Sequence, residues 1–454
     1  MKRNVYSRRR FFEVSSVAMG AAAFSRPLIL TGGEAASTAA NSKLNLALVG
    51  CGGQGRGVMR NLLSCGANLV ALCDPDPEMI AKARSDAGSP GGETAKAYED
   101  YRRLLDESKN IDAVLVATPD HWHSHICKAF MKAGKHIYCE KPLTHSVAEA
   151  REIRELSRTC NVVTQMGNQG SASESLRRCT EVIKAGALGQ IREIYEWGIG
   201  VTASEGKAEG EDPVPAGFNW DLWVGPSAMR PYKKEVYHPF RWRGWFDFGN
   251  GGMADFCCHS LNLPMRALDL GYPNRIVINM QDGKQTPGKA AVEYHFPERG
   301  NLPPVVIHWQ GDGTPPVEVI QPMVDIYKEN VPSGVMILGE KGCIYTSHWN
   351  NGGLIRLQGE PRLKDISHHE ATENIPKTLP RNDHFKEFVD ACRGEGKTFS
   401  DFDTGGKLTE IGLAGVVGLR AGKTLDWDGE KMEATNAPET SRFVHTEYRK
   451  QWLI

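Results

Sequence analysis

Nowhere in the 454 residues is there an apolar run approaching the ~20 consecutive positions that a membrane-spanning helix requires. A surplus of one charge is also missing: 54 Lys and Arg stand against 55 Asp and Glu, for a formal net charge of −1. Binding nucleic acid through bulk electrostatics needs a basic surplus to displace counterions from phosphate, so that class is excluded. The 11 Cys are odd in number and contain no CxxC pair, which argues against a disulfide framework and against structural zinc. His123 and His125 are only two apart, and no compact three-ligand helix motif appears, so no metal is expected. What remains is ordinary for a globular chain, 40% apolar and 24% charged, enough to offset the entropy of ordering. A prior of roughly 150 residues per domain gives two or three domains.

Residues 1–40 differ in kind from the rest. A basic head (Lys2, Arg3, Arg8, Arg9, Arg10) runs into a mildly apolar stretch, Val14 to Phe24, and then into the small residues of 34–40. This three-part layout is that of a secretory signal. Ser7-Arg8-Arg9-Arg10-Phe11-Phe12 resembles the twin-arginine consensus of bacterial export signals, although Glu13 replaces the usual Lys. The resemblance implies a partner, the twin-arginine export machinery, and a periplasmic location. It also implies a chain that folds and loads its cofactor before export, which would bury most of the Cys.

From residue 43 the pattern changes to alternating strands and helices. The apolar run Leu44–Val49 leads into Gly50-Cys-Gly52-Gly53-Gln54-Gly55, followed by a helical pattern through Val58, Leu62 and Leu63. Strand, glycine turn and helix in that order form the dinucleotide-binding fingerprint. Gly50 permits the tight turn, Gly52 lets backbone N–H groups approach a pyrophosphate, and Gly55 lets helix and strand pack closely. A second strand ends at Asp74, 24 residues after Gly50. A carboxylate there accepts ribose hydroxyls and repels a 2′-phosphate, favouring NAD over NADP; within Asp-Pro-Asp-Pro it could instead be a turn former. A third strand, Ile111–Ala117, leads to Thr118-Pro119. A helix is expected over Ser124–Ala133, and a fourth strand, His136–Cys139, runs into Glu140-Lys141-Pro142. Alternation of this kind means a parallel, doubly wound sheet with ligands beyond the carboxyl ends of its strands.

These residues resemble the glucose–fructose oxidoreductase and inositol dehydrogenase (Gfo/Idh/MocA) family. The matched features are the glycine fingerprint, Asp74, Ala117-Thr-Pro119 with His123, and Ala133-Gly-Lys-His136 leading to Glu140-Lys-Pro142. Met166-Gly-Asn168-Gln169, Asn219-Trp-Asp-Leu-Trp-Val-Gly-Pro226 and Asp255-Phe-Cys-Cys-His259 extend the likeness. The resemblance implies an α/β Rossmann dinucleotide-binding domain plus a C-terminal α/β domain with a large, mostly antiparallel open sheet, one face of which often forms dimers or tetramers. It implies NAD contacts from Gly50, Gly52, Gly53, Gln54, Gly55, Asp74, Thr118, Pro119, His123, Glu140, Lys141 and Gln169. Lys141 would reach both nicotinamide ribose and substrate, and the bond to Pro142 would be cis. The expected division is an export signal over 1–40, a Rossmann domain over 41–163, a substrate and oligomerisation domain over 164–427, and a tail over 428–454.

In the second half, alternating apolar runs (Ile191–Tyr195, Ala291–Phe296, Val305–Trp309, Val335–Leu338) suit antiparallel strands. Asp383–Cys392 and Thr404–Ala421 read as late helices, and the tail from about 428 as extended and polar. Asp255 and His259 are four apart, so a helix places them on one face. A carboxylate bonded to imidazole would fix its tautomer and stabilise the cation formed on taking a proton. The pair is the expected proton-handling unit, with Lys141 a competing base. Arg241, Trp242 and Trp245, with Asn168, are the expected contacts to a sugar or polyol, within a cluster that also holds Arg243, Trp223, Tyr237 and His238: aromatic faces stack on sugar C–H surfaces, and the polar side chains hydrogen-bond hydroxyls. The function so implied is hydride transfer between nicotinamide and a hydroxyl-bearing carbon of a sugar, polyol or derivative. An NAD-dependent glycosidase using transient oxidation and a non-catalytic sugar-binding relative stand as alternatives.

Overall fold

The computed structural model describes residues 43–107, 109–200, 203–280, 290–311 and 313–452; the expected export signal lies outside them. The first half builds a six-stranded sheet in the order β3-β2-β1-β4-β5-β6. Its strands are β1 (Leu44–Val49), β2 (Ala67–Cys73), β3 (Lys96–Tyr98), β4 (Ala113–Val116), β5 (His136–Cys139) and β6 (Thr164–Met166). Every pairing is parallel, and the order is that of a doubly wound Rossmann sheet, with a switch point between β1 and β4 where ligands bind. β4 is apolar throughout and β1 is apolar apart from Asn45, as buried parallel strands require.

The second half forms a ten-stranded sheet in the order β14-β13-β12-β11-β7-β10-β9-β8-β15-β16. These strands are β7 (Ile191–Trp197), β8 (Arg275–Met280), β9 (Ala290–Phe296), β10 (Val305–Trp309), β11 (Gly334–Gly339), β12 (Gly342–Thr346), β13 (Leu354–Leu357), β14 (Lys364–Asp365), β15 (Leu425–Asp428) and β16 (Glu433–Ala434). Only β7 and β10 pair in parallel. In β9 and β10 residues alternate between buried and half-buried, as a sheet with one covered face requires. Among the described residues, no helix is long and apolar enough to cross a membrane.

Two local expectations are corrected. The helix after Thr118-Pro119 spans Asp120–Lys132, starting four residues before the expected Ser124 and taking in His121 and His123. Proline favours the start of a helix, where its missing N–H costs nothing. The two late helices form where expected, and both also pack on the first half of the chain. His384–Cys392 places Phe388 and Val389 in the same apolar cluster as Leu46 and Met59. Phe402–Ala421 packs on Val147–Thr159, its Glu410 pairing with Arg151 and Arg154. The tail after 428 is not extended and polar. It adds β16 and short helical turns, and Trp452, 5% exposed, packs edge-on against Trp122 at 5.3 Å.

Candidate active site

The glycine turn closes as its spacing requires. Gly50 has φ 92°, and a Cβ there would lie 2.5 Å from the Ala117 carbonyl carbon. Only glycine fits where β1 turns beside β4. A Cβ on Gly55 would lie 2.2 Å from the Gly50 carbonyl oxygen, so this residue sets the helix–strand approach. Gly52 and Gly53 differ: a Cβ on either meets nothing within 4 Å. They form an open floor at the start of the helix Gly53–Ser64, which carries no acidic residue in its first turn. Its first N–H groups have no intrahelical acceptor, and such a terminus suits a pyrophosphate.

Asp74, at the end of β2, is 8% exposed. Its Oδ2 accepts from the Cys51 amide at 2.7 Å and its Oδ1 from the Asp76 amide at 2.9 Å. Burial outweighs these bonds and raises its pKa to about 6. Each oxygen keeps acceptor capacity for a ribose hydroxyl. Gly50, Gly52, Gly53, Gln54, Asp74, Thr118 and Pro119 line a single cavity. The second half of the chain contributes to the same cavity through Trp223, His238, Phe240, Trp242 and Arg243. The open glycine floor and the acceptor pair of Asp74 fit a dinucleotide.

At the end of β5 the peptide bond before Pro142 is cis. Lys141 Nζ donates to Asp255 Oδ1 at 2.7 Å and to the Asp255 carbonyl at 3.1 Å. The expected Asp255–His259 dyad is therefore corrected: Asp255 serves Lys141. Asp255 lies in the middle of the helix Gly251–Ser260, and His259 sits one turn on. His259 is 1% exposed, and neither ring nitrogen has a hydrogen-bond partner among the described residues. Burial, then the charge of Lys141, holds its pKa well below the usual imidazole value, so the ring is neutral and offers a lone pair to a hydrogen-bond donor, while the same burial opposes its becoming a cation. Trp349 packs on that ring at 4.0 Å and is itself 40% exposed. Phe256 lies 5.7 Å from Lys141 Nζ and 6.1 Å from the Trp349 ring. Lys141, Asp255, Phe256, His259 and Trp349 thus form one cluster of donors, acceptors and aromatic faces.

Several expected contacts have other occupations. His123 is a staple rather than a cofactor contact: Nδ1 lies 2.8 Å from the Pro142 carbonyl and Nε2 2.9 Å from the Thr118 carbonyl. It ties together the turns after β4 and β5, and burial lowers its pKa to about 4. Asn168 is not available to substrate, because it is fully buried with Nδ2 bonded to the Cys258 carbonyl and Oδ1 to Ser400 Oγ. Gln169 donates to Glu140 Oε1 at 3.2 Å. Burial raises the Glu140 pKa to about 7, against the charge of Lys141 and the amides of Gln54 and Gln169. Glu140, Lys141 and Gln169 do not line the glycine-turn cavity.

The three expected sugar contacts on the loop before Gly251 are also reassigned. Trp242 is buried in the wall of the dinucleotide cavity, Trp245 donates Nε1 to the Val236 carbonyl at 3.2 Å, and Arg241 is exposed outside that cavity. Their aromatic neighbours Phe218, Trp220, Trp223 and Tyr237 form a small core of their own. Sequence reasoning missed Trp349, Phe256 and Asp120. Asp120 is buried, and its pKa is raised well above the carboxylate range by burial and then by Asp255, with Arg243 and Lys141 opposing. Asp120 directly follows Thr118-Pro119, a motif already pointing at the site. Trp349 sits in the turn after β12 with no spacing that relates it to His259.

Two family descriptions match the chain: "Oxidoreductase family, NAD-binding Rossmann fold" over residues 44–168 and "Oxidoreductase family, C-terminal alpha/beta domain" over 191–291. Inositol 2-dehydrogenase 2 of Saccharopolyspora erythraea is 31% identical over 155 residues, covering 34% of this chain and 44% of that protein. Myo-inositol 2-dehydrogenase of Thermotoga maritima is 29% identical over 124 residues, covering 27% and 35%. The match thus spans less than half the length of either relative. A levoglucosan dehydrogenase solved with NADH and levoglucosan shares the fold, with a TM-score of 0.57 and 16% identity over 85% of this chain and 99% of that one. An aldose-aldose oxidoreductase from Caulobacter crescentus, solved with glycerol, gives 0.55 and 18% over 85% and 99%. With a glycine turn, an acidic second strand and a Glu-Lys-Pro turn in one fold, the chain belongs to the Gfo/Idh/MocA family of oxidoreductases.

Proposed function

We propose that the protein is an NAD(H)-dependent oxidoreductase acting on a hydroxyl-bearing carbon of a sugar, polyol or derivative. The observation that carries this reading is the pairing of Lys141 with Asp255 beside a neutral His259 and two aromatic faces, in a chain whose glycine turn and Asp74 fit a dinucleotide. The nicotinamide would supply the hydride acceptor. The chain's own residues would do the rest: Lys141 Nζ orients the reacting hydroxyl, takes its proton as the neutral amine during oxidation and returns it as the ammonium during reduction, and Asp255 holds that ammonium in place. His259 is a second acceptor within the cluster, and Trp349 and Phe256 offer apolar faces to sugar C–H bonds. Asp74 favours NAD over NADP, because a 2′-phosphate would meet a buried carboxyl group.

Titrating purified protein with NAD, and then with a panel of sugars and polyols while following NADH absorbance, tests the reading. NAD binding with no NADH from any substrate, in either direction, would count against it. The glycosidase reading has one observation in its favour: "Glycosyl hydrolase family 109 protein 2" of Shewanella sp. is 31% identical over 112 residues, 24% of this chain and 24% of that one. Release of nitrophenol from a nitrophenyl glycoside without net NADH would establish it. Turnover of a sugar by the wild type also separates both from the non-catalytic reading.

The proposal includes export through the twin-arginine machinery to the periplasm, supported by Ser7–Phe12 and by 11 free Cys, most of them buried and so protected in an oxidising compartment. Cell fractionation with Arg8→Lys/Arg9→Lys tests it. It also includes assembly as a homodimer or homotetramer through the ten-stranded sheet. The helix Val317–Tyr327 covers the face at Tyr195, Met336 and Tyr345, while Glu293, His295 and His308 stay part-exposed on β9 and β10. Light scattering on the purified protein would measure it.

A further inference from the structure

We infer that Arg243 is a cofactor-binding residue, a cation that the second half of the chain brings to the pyrophosphate of the dinucleotide. The inference rests on the dinucleotide reading above and adds to it a residue outside the Rossmann fold. Arg243 lines the same cavity as Gly50, Gly52, Gly53 and Thr118. Its guanidinium carbon lies 4.2 Å from the Trp242 ring and 4.7 Å from the Phe240 ring. Two aromatic faces hold the planar cation and restrict its directions, so little freedom is lost when it takes a ligand.

The guanidinium also has donors to spare. Arginine carries five N–H groups. Among the described residues Arg243 makes a 3.4 Å bond from Nη1 to the Phe240 carbonyl and a loose 3.9 Å ion pair from Nε to Asp255 Oδ1. Asp255 is already held by Lys141 at 2.7 Å, so it does not use this charge fully. In the same cavity the glycine floor offers N–H groups and no acidic first-turn residue. A diphosphate set there would carry two negative charges, and a guanidinium can meet two phosphate oxygens at once. The loop that carries the arginine is anchored to the Rossmann sheet, since His238 Nε2 meets Asp76 Oδ2 at 2.9 Å and the Asn219 amide donates to the Pro75 carbonyl at 3.0 Å. Arg243 is therefore delivered by an attached wall.

The test compares NAD, ADP-ribose and adenosine binding to wild type, Arg243→Gln and Arg243→Lys, by calorimetry or ligand-observed NMR at two salt concentrations. Arg243→Gln should weaken NAD and ADP-ribose about 10- to 100-fold, the range for losing a charge-assisted contact. It should leave adenosine within about twofold and flatten the salt dependence, while Arg243→Lys restores part of the loss. Equal NAD affinity in Arg243→Gln and wild type would overturn the inference and leave the dinucleotide reading standing. An equal loss for adenosine would also overturn it, because the wall and not the phosphate contact would then be at fault. A wild type that binds neither NAD nor ADP-ribose would overturn both.

Discussion

Replacing Gly52 by alanine should leave the fold intact and damage only ligand binding. Gly52 has φ −68° and ψ −177°, a conformation open to any L-residue, and an added Cβ there meets nothing within 4 Å. The folded state gains no strain, while the unfolded chain loses freedom, so stability should rise by ~0.4–1 kcal/mol. With a dinucleotide in place, the methyl group would stand between the phosphate and the first free N–H groups of the helix. Forcing an extra methyl into a close-packed contact costs ~1–3 kcal/mol, which is about 5- to 150-fold in Kd. Gly55→Ala is the control, because its Cβ would sit 2.2 Å from the Gly50 carbonyl oxygen. The helix would have to retreat, destabilising the fold by ~1–3 kcal/mol against at most ~1 kcal/mol of gained helix propensity. Urea unfolding and NAD titration of both variants read the two effects separately. A Gly52→Ala protein that binds NAD within twofold of wild type, or that loses stability as Gly55→Ala does, would refute the placement of the phosphate.

Further outcomes follow from the ionisable groups. Asp74, raised to about 6, must be ionised to accept ribose hydroxyls best, so NAD affinity should fall about tenfold per pH unit below that value; titration at pH 5 and 7.5 checks this, and Asp74→Asn should flatten the dependence. Glu140 is raised from 4.5 to about 7, so between those values the folded state keeps a proton that the unfolded chain has released. Stability should decline as pH rises through this window, by at most on the order of 3 kcal/mol from this group. Asp74 contributes in the same direction at lower pH, and Glu140→Gln should remove the upper part of the slope in urea unfolding at pH 5 and 8. Lys141→Met and Asp255→Asn should each lower kcat about 10²- to 10⁴-fold, the usual worth of a proton-transfer group, with NAD affinity changed far less. Steady-state kinetics beside direct NAD titration separate the two quantities.

The legible parts of this protein were those governed by neighbours in the chain. Leu44–Val49 is apolar but for Asn45 because both sheet faces are covered, and Gly50 and Gly55 are needed by a turn only six residues long, so strand, turn and helix follow from local sterics. The alternation of β9 and β10 likewise announces a sheet with one covered face. Asp74 is readable because it ends the next strand of the same local unit. The four-residue spacing of Asp255 and His259 correctly implied a shared helix, yet spacing shows reach and not bonding. Lys141 arrives from 114 residues away and takes the carboxylate at 2.7 Å, and His259 is left to the ring of Trp349. Arg241, Trp242 and Trp245 misled for the same reason: an aromatic, basic loop suits a sugar or a phosphate equally until its place is known. Backbone geometry and hydrophobic period are properties of short segments, and the sequence by itself determined them. Which charges meet across two sheets depends on how the whole chain packs, and only the tertiary structure decided that.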